Sequence, residues 1–286
     1  MIGGVTISEI KNFTISIPPI SEQEAIADYL DKRCGRIDKV IATQEKRIAL
    51  LNELKQSIIT EAVTRGINPD APLKDSGIDW IGQIPEHWEV RRLKFWLNKP
   101  LMYGANESPD NIEPTDPRYI RITDIDDDGQ LKAETYCTLS YDIAKSYILE
   151  KGDILFARSG ATVGKTYIHL NTESACFAGY LIKAHVNKRM ADCEYVYYFT
   201  KSSIFANWKD SINIQATIQN IGADKYANLI LTFPPLTEQT QIVAQIKKDI
   251  APIDSTITKA QREIELLREY KQSVITEAVT GKIKVC

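Results

Sequence analysis

A glycine-rich segment at residues 159–166, SGATVGKT, follows the apolar run DILFA and has residue types that suit phosphate chemistry. It looks like a nucleotide-binding P-loop, in which four residues separate the first glycine from a Gly-Lys pair. Here Gly160 and Gly164 enclose three residues, and Ser159 stands where the P-loop has its first glycine. The spacing therefore argues against ATP binding.

The same turn is better suited to duplex DNA. Small residues let backbone amides approach phosphates, and an arginine can make two hydrogen bonds to a guanine. The candidate DNA contacts in this turn are Arg158, Ser159, Thr162 and Lys165. An equally good interpretation of Arg158 is an ion pair with a carboxylate such as Asp153.

Polar side chains in other loops extend this set of candidates. Glutamine and asparagine are the natural readers of adenine, and serine or threonine can bind phosphates. Taken singly, each of these residues is more typical of a turn or a helix cap, but several loops on one face are expected of a DNA reader. The candidates are Tyr103, Asn106 and Ser108 in one loop, Arg121 and Thr123 in a second, and Gln215 and Thr217 in the segment QATIQNI.

Residues for catalysis or metal binding do not stand out. The three histidines, His87, His169 and His185, have no evident triad or metal partners. The five cysteines are scattered without a Cys-x-x-Cys pair, which argues against a zinc site and a disulfide framework. No methyltransferase glycine motif, Asn-Pro-Pro-Tyr loop or nuclease-like acidic set is found. The sequence therefore predicts a non-enzymatic chain without metal or cofactor.

Charge and hydropathy limit the class of protein. Net charge is -3, and residues 85–233 contain 17 Lys plus Arg against 19 Asp plus Glu, so any DNA-binding face is a local patch. No run approaches the roughly 18 apolar residues of a membrane helix, and the start lacks a signal-like segment. We expect a cytoplasmic protein without membrane contact.

An internal repeat determines the predicted architecture. Residues 18–67 align without a gap onto residues 234–283, at a constant offset of 216, with 23 of 50 positions identical. Each copy begins with a helix-start signal: Ser21 with Glu24 has capping-box spacing, and Thr237 is the corresponding cap in the second copy. Gly35 and Pro252 predict a break in each copy, so each is expected to form a short helix followed by a long one.

Apolar residues along the long helices recur at alternating steps of four and three, which is the pattern of a coiled-coil seam. The simplest arrangement is an antiparallel pair, because both helices adjoin one intervening domain. Such a pair could set the spacing of DNA half-sites or simply hold domains together. The predicted seam consists of Ile37, Ile41, Ile48, Leu51, Ile58, Ile253, Ile257, Ile264, Leu267 and Val274.

The region between the helices has a different texture. Short β-rich runs at residues 119–123, 153–157 and 180–184 are bounded by Gly, Asp and Asn turns, which indicates a mixed α/β domain. The predicted fold is therefore one mixed α/β domain flanked by two long helices in an antiparallel coiled coil. The predicted divisions are a domain remnant at 1–17, helices at 18–66 and 234–286, and the α/β domain at 67–233.

Several segments together resemble the specificity subunits of type I restriction-modification enzymes. These segments are SGIDWIGQIPEHW, YIRITDID, GDILFARSGATVGK, QATIQNI, and PPLTEQ leading to ITEAVTGKI. The family pattern alternates two target-recognition domains with two spacer helices. Here the first domain is nearly absent, so the chain resembles a half-length form.

The resemblance implies a non-catalytic subunit that reads a short half-site in double-stranded DNA. Its spacer helices are expected to dock adenine methyltransferase subunits, with the restriction and translocase subunit joining through the complex. A homodimer through the helical ends would restore a two-part site. The alternatives are an inactive truncated cassette and a helical adaptor that binds protein, which the acidic balance favours slightly.

Overall fold

The computed structural model of this chain describes residues 11–12, 17–109, 113–213 and 220–285. Its contacts divide the chain into two units. A helical unit contains residues up to 52 and from 252 onward, and a globular unit contains residues 53–251. The predicted domain remnant at residues 1–17 lies almost wholly outside the described residues.

Each copy of the repeat forms one long helix, α1 at Ile20–Arg65 and α6 at Leu236–Val279. In the helical unit the two run in opposite directions, because Asp38 pairs with Lys271 whereas Gln44, farther along α1, pairs with Glu263, which comes earlier in α6. Asp38 accepts a hydrogen bond from Lys271 at 2.6 Å, and Gln44 donates to Glu263 at 2.8 Å. The predicted antiparallel pair of long helices is confirmed.

One apolar stripe on each helix is buried in this arrangement. Ile37, Ile41 and Ile264 form a buried cluster, against which Ile48 and Leu267 pack. Among the other predicted seam positions, Leu51 and Ile58 are half-buried and the rest are buried, namely Ile253, Ile257 and Val274. Burial of such a stripe, rather than intrinsic helix propensity, stabilises most protein helices.

The predicted breaks in the helices are wrong. Helix α1 continues through Gly35, and α6 contains Pro252. A glycine in a helix costs about 1 kcal/mol and a proline about 3 kcal/mol. Ile250 and Ile253 on either side of the proline are both buried. Burying large apolar side chains is worth about 1.5–3 kcal/mol each, which offsets the lost hydrogen bond.

The predicted caps are also wrong, because both helices begin earlier. The Pro19 carbonyl accepts hydrogen bonds from the backbone N–H groups of Glu22 and Gln23 at 2.9 and 3.0 Å. The Pro235 carbonyl does the same at the start of α6. Ser21 and Thr237 therefore lie inside the first helical turn rather than before it.

The globular unit contains short strands and short helices. The strands are β1 Leu73–Asp75, β2 Gln83–Pro85, β3 Glu89–Arg92, β4 Met102–Tyr103, β5 Arg118–Ile120, β6 Ile154–Ala157, β7 Thr166–Ile168, β8 Ala175–Phe177, β9 Leu181–Ala184 and β10 Ile230–Phe233. The main sheet is antiparallel, with strand order β4-β9-β6-β7, while β5 pairs in parallel with β8. Strands β3 and β10 form an antiparallel ribbon, and β1 pairs with β2. The helices are α2 Tyr141–Ala144, α3 Cys193–Phe199, α4 Ser203–Asn213 and α5 Ala223–Ala227.

Strand β6 is central to this sheet, because it pairs with both β7 and β9. All four of its residues are buried, as expected for a strand covered on both faces. The core of the unit also includes Trp88 and Trp96, together with the parts of α1 and α6 that belong to this unit. The Trp88 indole donates to Glu238 at 3.0 Å, which ties the start of the α/β region to α6.

None of the helices in the described parts of the chain has the length and apolar character that a membrane span requires.

Candidate nucleic-acid interface

The glycine-rich turn is the hairpin between β6 and β7. The Ala157 N–H donates to the Lys165 carbonyl at 2.8 Å, and the Gly164 N–H donates to the Ala157 carbonyl at 3.1 Å. Gly160 and Gly164 have φ angles of +72° and +84°, which glycine adopts without strain. These glycines allow the chain to reverse tightly, and they leave Arg158 at the start of the turn.

The backbone of Arg158 is held on both sides. Its N–H donates to the Tyr180 carbonyl at 3.0 Å, and its carbonyl accepts from the Ile221 N–H at 2.8 Å. The next residue, Ser159, forms an antiparallel bridge with Asn220. The turn is thereby fixed to the β8–β9 connection and to the segment that precedes α5.

The side chain of Arg158 lies on an aromatic ring. Its guanidinium carbon is 4.9 Å from the centre of the Tyr103 ring. Its Nε is buried and has no hydrogen-bond partner among the described residues. The alternative pairing with Asp153 is not formed, because Asp153 accepts from His185 at 2.6 Å and lies 3.6 Å from Lys183. The guanidinium is therefore not neutralised by that carboxylate.

The Tyr103 ring is itself anchored. Its hydroxyl accepts a hydrogen bond from the Ala223 N–H at 3.0 Å, at the start of α5. The ring remains 42% exposed. Strand β4, which carries Tyr103, therefore presents an accessible aromatic face beside the glycine-rich turn.

The loop after β4 crosses the β8–β9 connection at very short range. The Ala105 N–H donates to the Phe177 carbonyl at 2.9 Å, and the Gly179 N–H donates to the Ala105 carbonyl at 2.6 Å. A Cβ atom at Gly179 would overlap the side-chain oxygen of Asn106. At the same crossing a Cβ atom at Gly104 would overlap the Phe177 and Ala178 carbonyl oxygens, so only glycine fits there, and Asn106 lies next to the turn that carries Tyr180.

The second cation of the glycine-rich turn is neutralised by an acidic turn at residues 126–129, DDDG. Lys165 Nζ lies 2.6 Å from Asp127 Oδ1. This hydrogen bond and the positive charge of Lys165 lower the pKa of Asp127 below its ordinary value. Since Asp127 is 95% exposed, the pair contributes little to stability, but it occupies the ammonium group.

The acidic turn is packed against the sheet through Gly129. A Cβ atom at Gly129 would lie 2.5 Å from the Thr166 carbonyl oxygen and 2.6 Å from both Lys201 Nζ and Tyr197 Oη. Lys201 donates to the Thr166 carbonyl at 3.3 Å. Burial lowers the pKa of Lys201 to about 8, because the charged form loses its hydration.

Most of the chain matches a known protein family. The family model described as "Type I restriction modification DNA specificity domain" matches residues 2–53 and 85–267, which is more than half of the 286 residues. The chain belongs to this family. Relatives of this specificity chain are specificity subunits of type I restriction enzymes, in agreement with the prediction of a non-enzymatic subunit.

Individual relatives and solved structures match nearly the whole of this chain at low identity. The MjaVIII specificity subunit of Methanocaldococcus jannaschii is 25% identical over 96% of this chain and 63% of that protein. A chain in a structure of complex assembly in a type I R-M system has a TM-score of 0.64 at 18% identity, over 96% of this chain and 63% of that one. The HsdS subunit of Thermoanaerobacter tengcongensis has a TM-score of 0.52 at 19% identity, over 98% and 64%. This specificity chain spans less than two thirds of the length of each.

The structure brings some of the predicted contact residues together and places others elsewhere. Tyr103 and Arg158 are in contact, Ser159 adjoins them, and Asn106 lies at the neighbouring crossing. Thr162 donates to the Ser159 carbonyl at 3.4 Å within the turn. Ser108 is exposed farther along the β4 loop, and Gln215 and Thr217 lie outside the described residues.

Arg121 and Thr123 are engaged in internal contacts instead. Arg121 donates from Nε and Nη2 to the buried Asp124 carboxylate at 3.2 and 3.0 Å, and from Nη2 to the Thr135 carbonyl. The hydrogen bond to Asp124 raises the pKa of Arg121. The Thr123 hydroxyl also donates to Asp124. The structure does not bring this pair into the cluster around Arg158.

Sequence reasoning missed two residues of this surface, Tyr180 and Asn220. Tyr180 is 62% exposed, and its carbonyl holds the backbone of Arg158. Asn220 is exposed and pairs with Ser159. The sequence contains a signal for Tyr180, namely an aromatic residue directly after a glycine in the segment FAGYL. This tyrosine was predicted only as part of the β-rich run at residues 180–184.

Proposed function

We propose that this chain is the sequence-reading subunit of a type I restriction-modification complex, and that its globular unit reads a half-site in double-stranded DNA. The observation that carries this proposal is the convergence of four separate segments around Arg158. The exposed or half-exposed groups there are Tyr103, Asn106, Arg158 and Tyr180. Aromatic, amide and guanidinium groups on one surface are suited to contacts with base edges and phosphates.

The long helices have a second exposed stripe that suits partner subunits. Leu50 and Leu54 on α1 are 55% and 49% exposed. Their equivalents in the repeat, Leu266 and Tyr270 on α6, are 48% and 45% exposed. Because equivalent positions of both copies expose apolar groups, we propose that two methyltransferase subunits dock there, and that the restriction and translocase subunit joins through this complex.

A two-part DNA site requires two reading units. We propose that two copies associate and read an inverted-repeat target, because the described residues contain one globular unit per chain. An inactive cassette would have the same fold without this activity. A protein-binding adaptor is favoured only by the acidic balance of residues 85–233.

The test is co-expression of the full chain with its neighbouring methyltransferase subunit. The mass of the purified complex gives its composition, and long-read sequencing of genomic DNA maps methylated adenines. A complex that methylates an inverted-repeat motif supports the proposal. A complex without methylation indicates an inactive cassette, and a complex that forms without salt-sensitive duplex binding indicates an adaptor.

Docking is tested separately with one charged substitution on each helix. Leu50→Glu combined with Leu266→Glu is expected to abolish recovery of the methyltransferase subunit. The control is Ala49→Glu combined with Gln261→Glu, which adds the same two charges at exposed positions of the two helices. Equal loss of the partner in both variants would contradict docking on this stripe.

A further inference from the structure

Arg158 differs from Arg91, Arg118 and Arg121 of the globular unit in how its side chain is used. Arg91 pairs with Glu89 at 2.8 Å, and Arg121 binds Asp124. Arg118 donates to the Lys132 carbonyl at 2.9 Å. For Arg158 the structure gives, within its described residues, a ring contact and no hydrogen bond or ion pair from the guanidinium. The guanidinium is therefore not committed to a hydrogen-bond or ion-pair partner among the described residues.

The position of this guanidinium is restricted before any ligand binds. The backbone of Arg158 is hydrogen-bonded on both sides, to Tyr180 and Ile221. The side chain lies against Tyr103, whose hydroxyl is fixed by the Ala223 N–H. A guanidinium holds its N–H groups in one plane, where they can meet a planar acceptor pair. Less side-chain entropy is then lost when it binds.

The surrounding charges argue against a simple phosphate contact. A phosphate-binding turn would be expected to keep both of its cations available. Lys165, the other cation of this turn, is instead held by Asp127 at 2.6 Å. The turn thus presents one arginine guanidinium in a restricted position rather than a positively charged patch. Two parallel N–H donors of a guanidinium match the O6 and N7 acceptors of guanine.

We propose that Arg158 reads a guanine in the major groove and that Tyr103 is its positioning residue. This assignment rests on the proposed function of the chain as a DNA reader. Arg158 donates two hydrogen bonds to the base edge, while the Tyr103 ring fixes the plane of the guanidinium.

The experiment uses the full chain in its complex with the methyltransferase subunit. Binding constants are measured for duplexes in which each position of the methylated motif is replaced in turn by the other three bases. The variants are Arg158→Lys, which keeps the charge but loses the planar fork, Tyr103→Leu and Tyr103→Phe. Arg92→Lys at an exposed position outside the cluster is the control. Thermal unfolding verifies that all variants are folded.

Arg158→Lys is expected to reduce the preference for guanine at one motif position by about 5- to 150-fold, the range of a good two-bond contact. Preferences at the other positions should remain. Tyr103→Leu should reduce discrimination at that same position, and Tyr103→Phe should restore most of it, because the ring is kept. A purely structural role of Tyr103 would instead weaken all positions alike.

Three results would overturn the assignment. Uniform loss of affinity over all sequences in Arg158→Lys would show a phosphate contact. Unchanged preferences, or a motif without a guanine that responds to Arg158, would remove the arginine from base reading. In each of these cases the wild-type complex still has a motif, so the proposed function survives. A wild-type complex without any sequence preference would refute the proposed function itself, and the assignment with it.

Discussion

The acidic turn at residues 126–129 offers a sharp test of the packing around the candidate interface. Gly129 has a φ angle of +81°, and a Cβ atom there would lie 2.5 Å from the Thr166 carbonyl oxygen. Gly82 has nearly the same φ angle, +73°, but a Cβ atom there would contact nothing within 4 Å. Gly129→Ala and Gly82→Ala therefore impose the same backbone strain and differ in steric overlap.

The expected magnitudes follow from this difference. An alanine in the left-handed region costs about 1–2 kcal/mol. The reduced entropy of the unfolded chain offsets about 0.4–1 kcal/mol of that cost. Gly82→Ala should therefore lower the free energy of unfolding by at most about 1.6 kcal/mol. Overpacking adds about 1–3 kcal/mol, so Gly129→Ala should lower it by about 1–3 kcal/mol more than Gly82→Ala does.

Urea denaturation of both variants, followed by circular dichroism, measures the difference. The slope of the unfolding free energy against urea should be the same for both, so that the midpoints compare stability alone. Equal midpoints for the two variants would refute the close approach of the acidic turn to Thr166. They would also remove the structural basis for placing Asp127 against Lys165.

Three further outcomes are expected. Ile264→Ala should lower the free energy of unfolding by about 2–4 kcal/mol in the same urea assay, because it shortens a buried seam side chain. Leu266→Ala, at a 48% exposed position, should change it by less than about 0.5 kcal/mol. Asp127→Asn should free Lys165 for a phosphate and steepen the logarithmic salt dependence of duplex binding by about one unit. Asp142→Asn, which alters an exposed carboxylate paired with Lys145, should leave that slope unchanged. Finally, the folded pKa of Lys201 is about 8, below its ordinary value of 10.5, so between these values the unfolded chain holds the proton more tightly. This group therefore makes the protein more stable as pH rises through that window. The difference in unfolding free energy between wild type and Lys201→Met should change with pH in the same window. A difference that stays constant would contradict the burial of this lysine.

The arrangement of the helices could be predicted from the sequence because it depends on a pattern repeated many times. The apolar stripe through Ile37, Ile41 and Ile264 recurs in both copies, and its burial outweighs any single unfavourable residue. The predicted breaks failed for the same reason. Gly35 and Pro252 are local signals worth about 1 and 3 kcal/mol, whereas each helix is held by a whole row of contacts.

The composition of the candidate interface could be predicted only in part. Tyr103 and Arg158 were both predicted as candidates, but their contact was not. It depends on the pairing of β4 with β9 and of β9 with β6, which joins segments that are far apart in the sequence. The crossing at Gly179 depends on a steric fit that no spacing rule describes. Arg121 has the same residue type as Arg158, and only the position of Asp124 shows that its donors are taken.

The acidic composition of the globular unit and its proposed role in reading DNA are compatible because its charges are used locally. Lys165 faces Asp127, while the Arg158 guanidinium lies over the Tyr103 ring and has no carboxylate partner among the described residues. A surface built in this way gives little affinity for arbitrary DNA, because few cations are available to displace counterions. Its preference for one sequence then comes from a small number of oriented hydrogen bonds, each worth about 1–3 kcal/mol. We therefore expect weak non-specific binding by the chain alone, with most phosphate contacts made by its partner subunits.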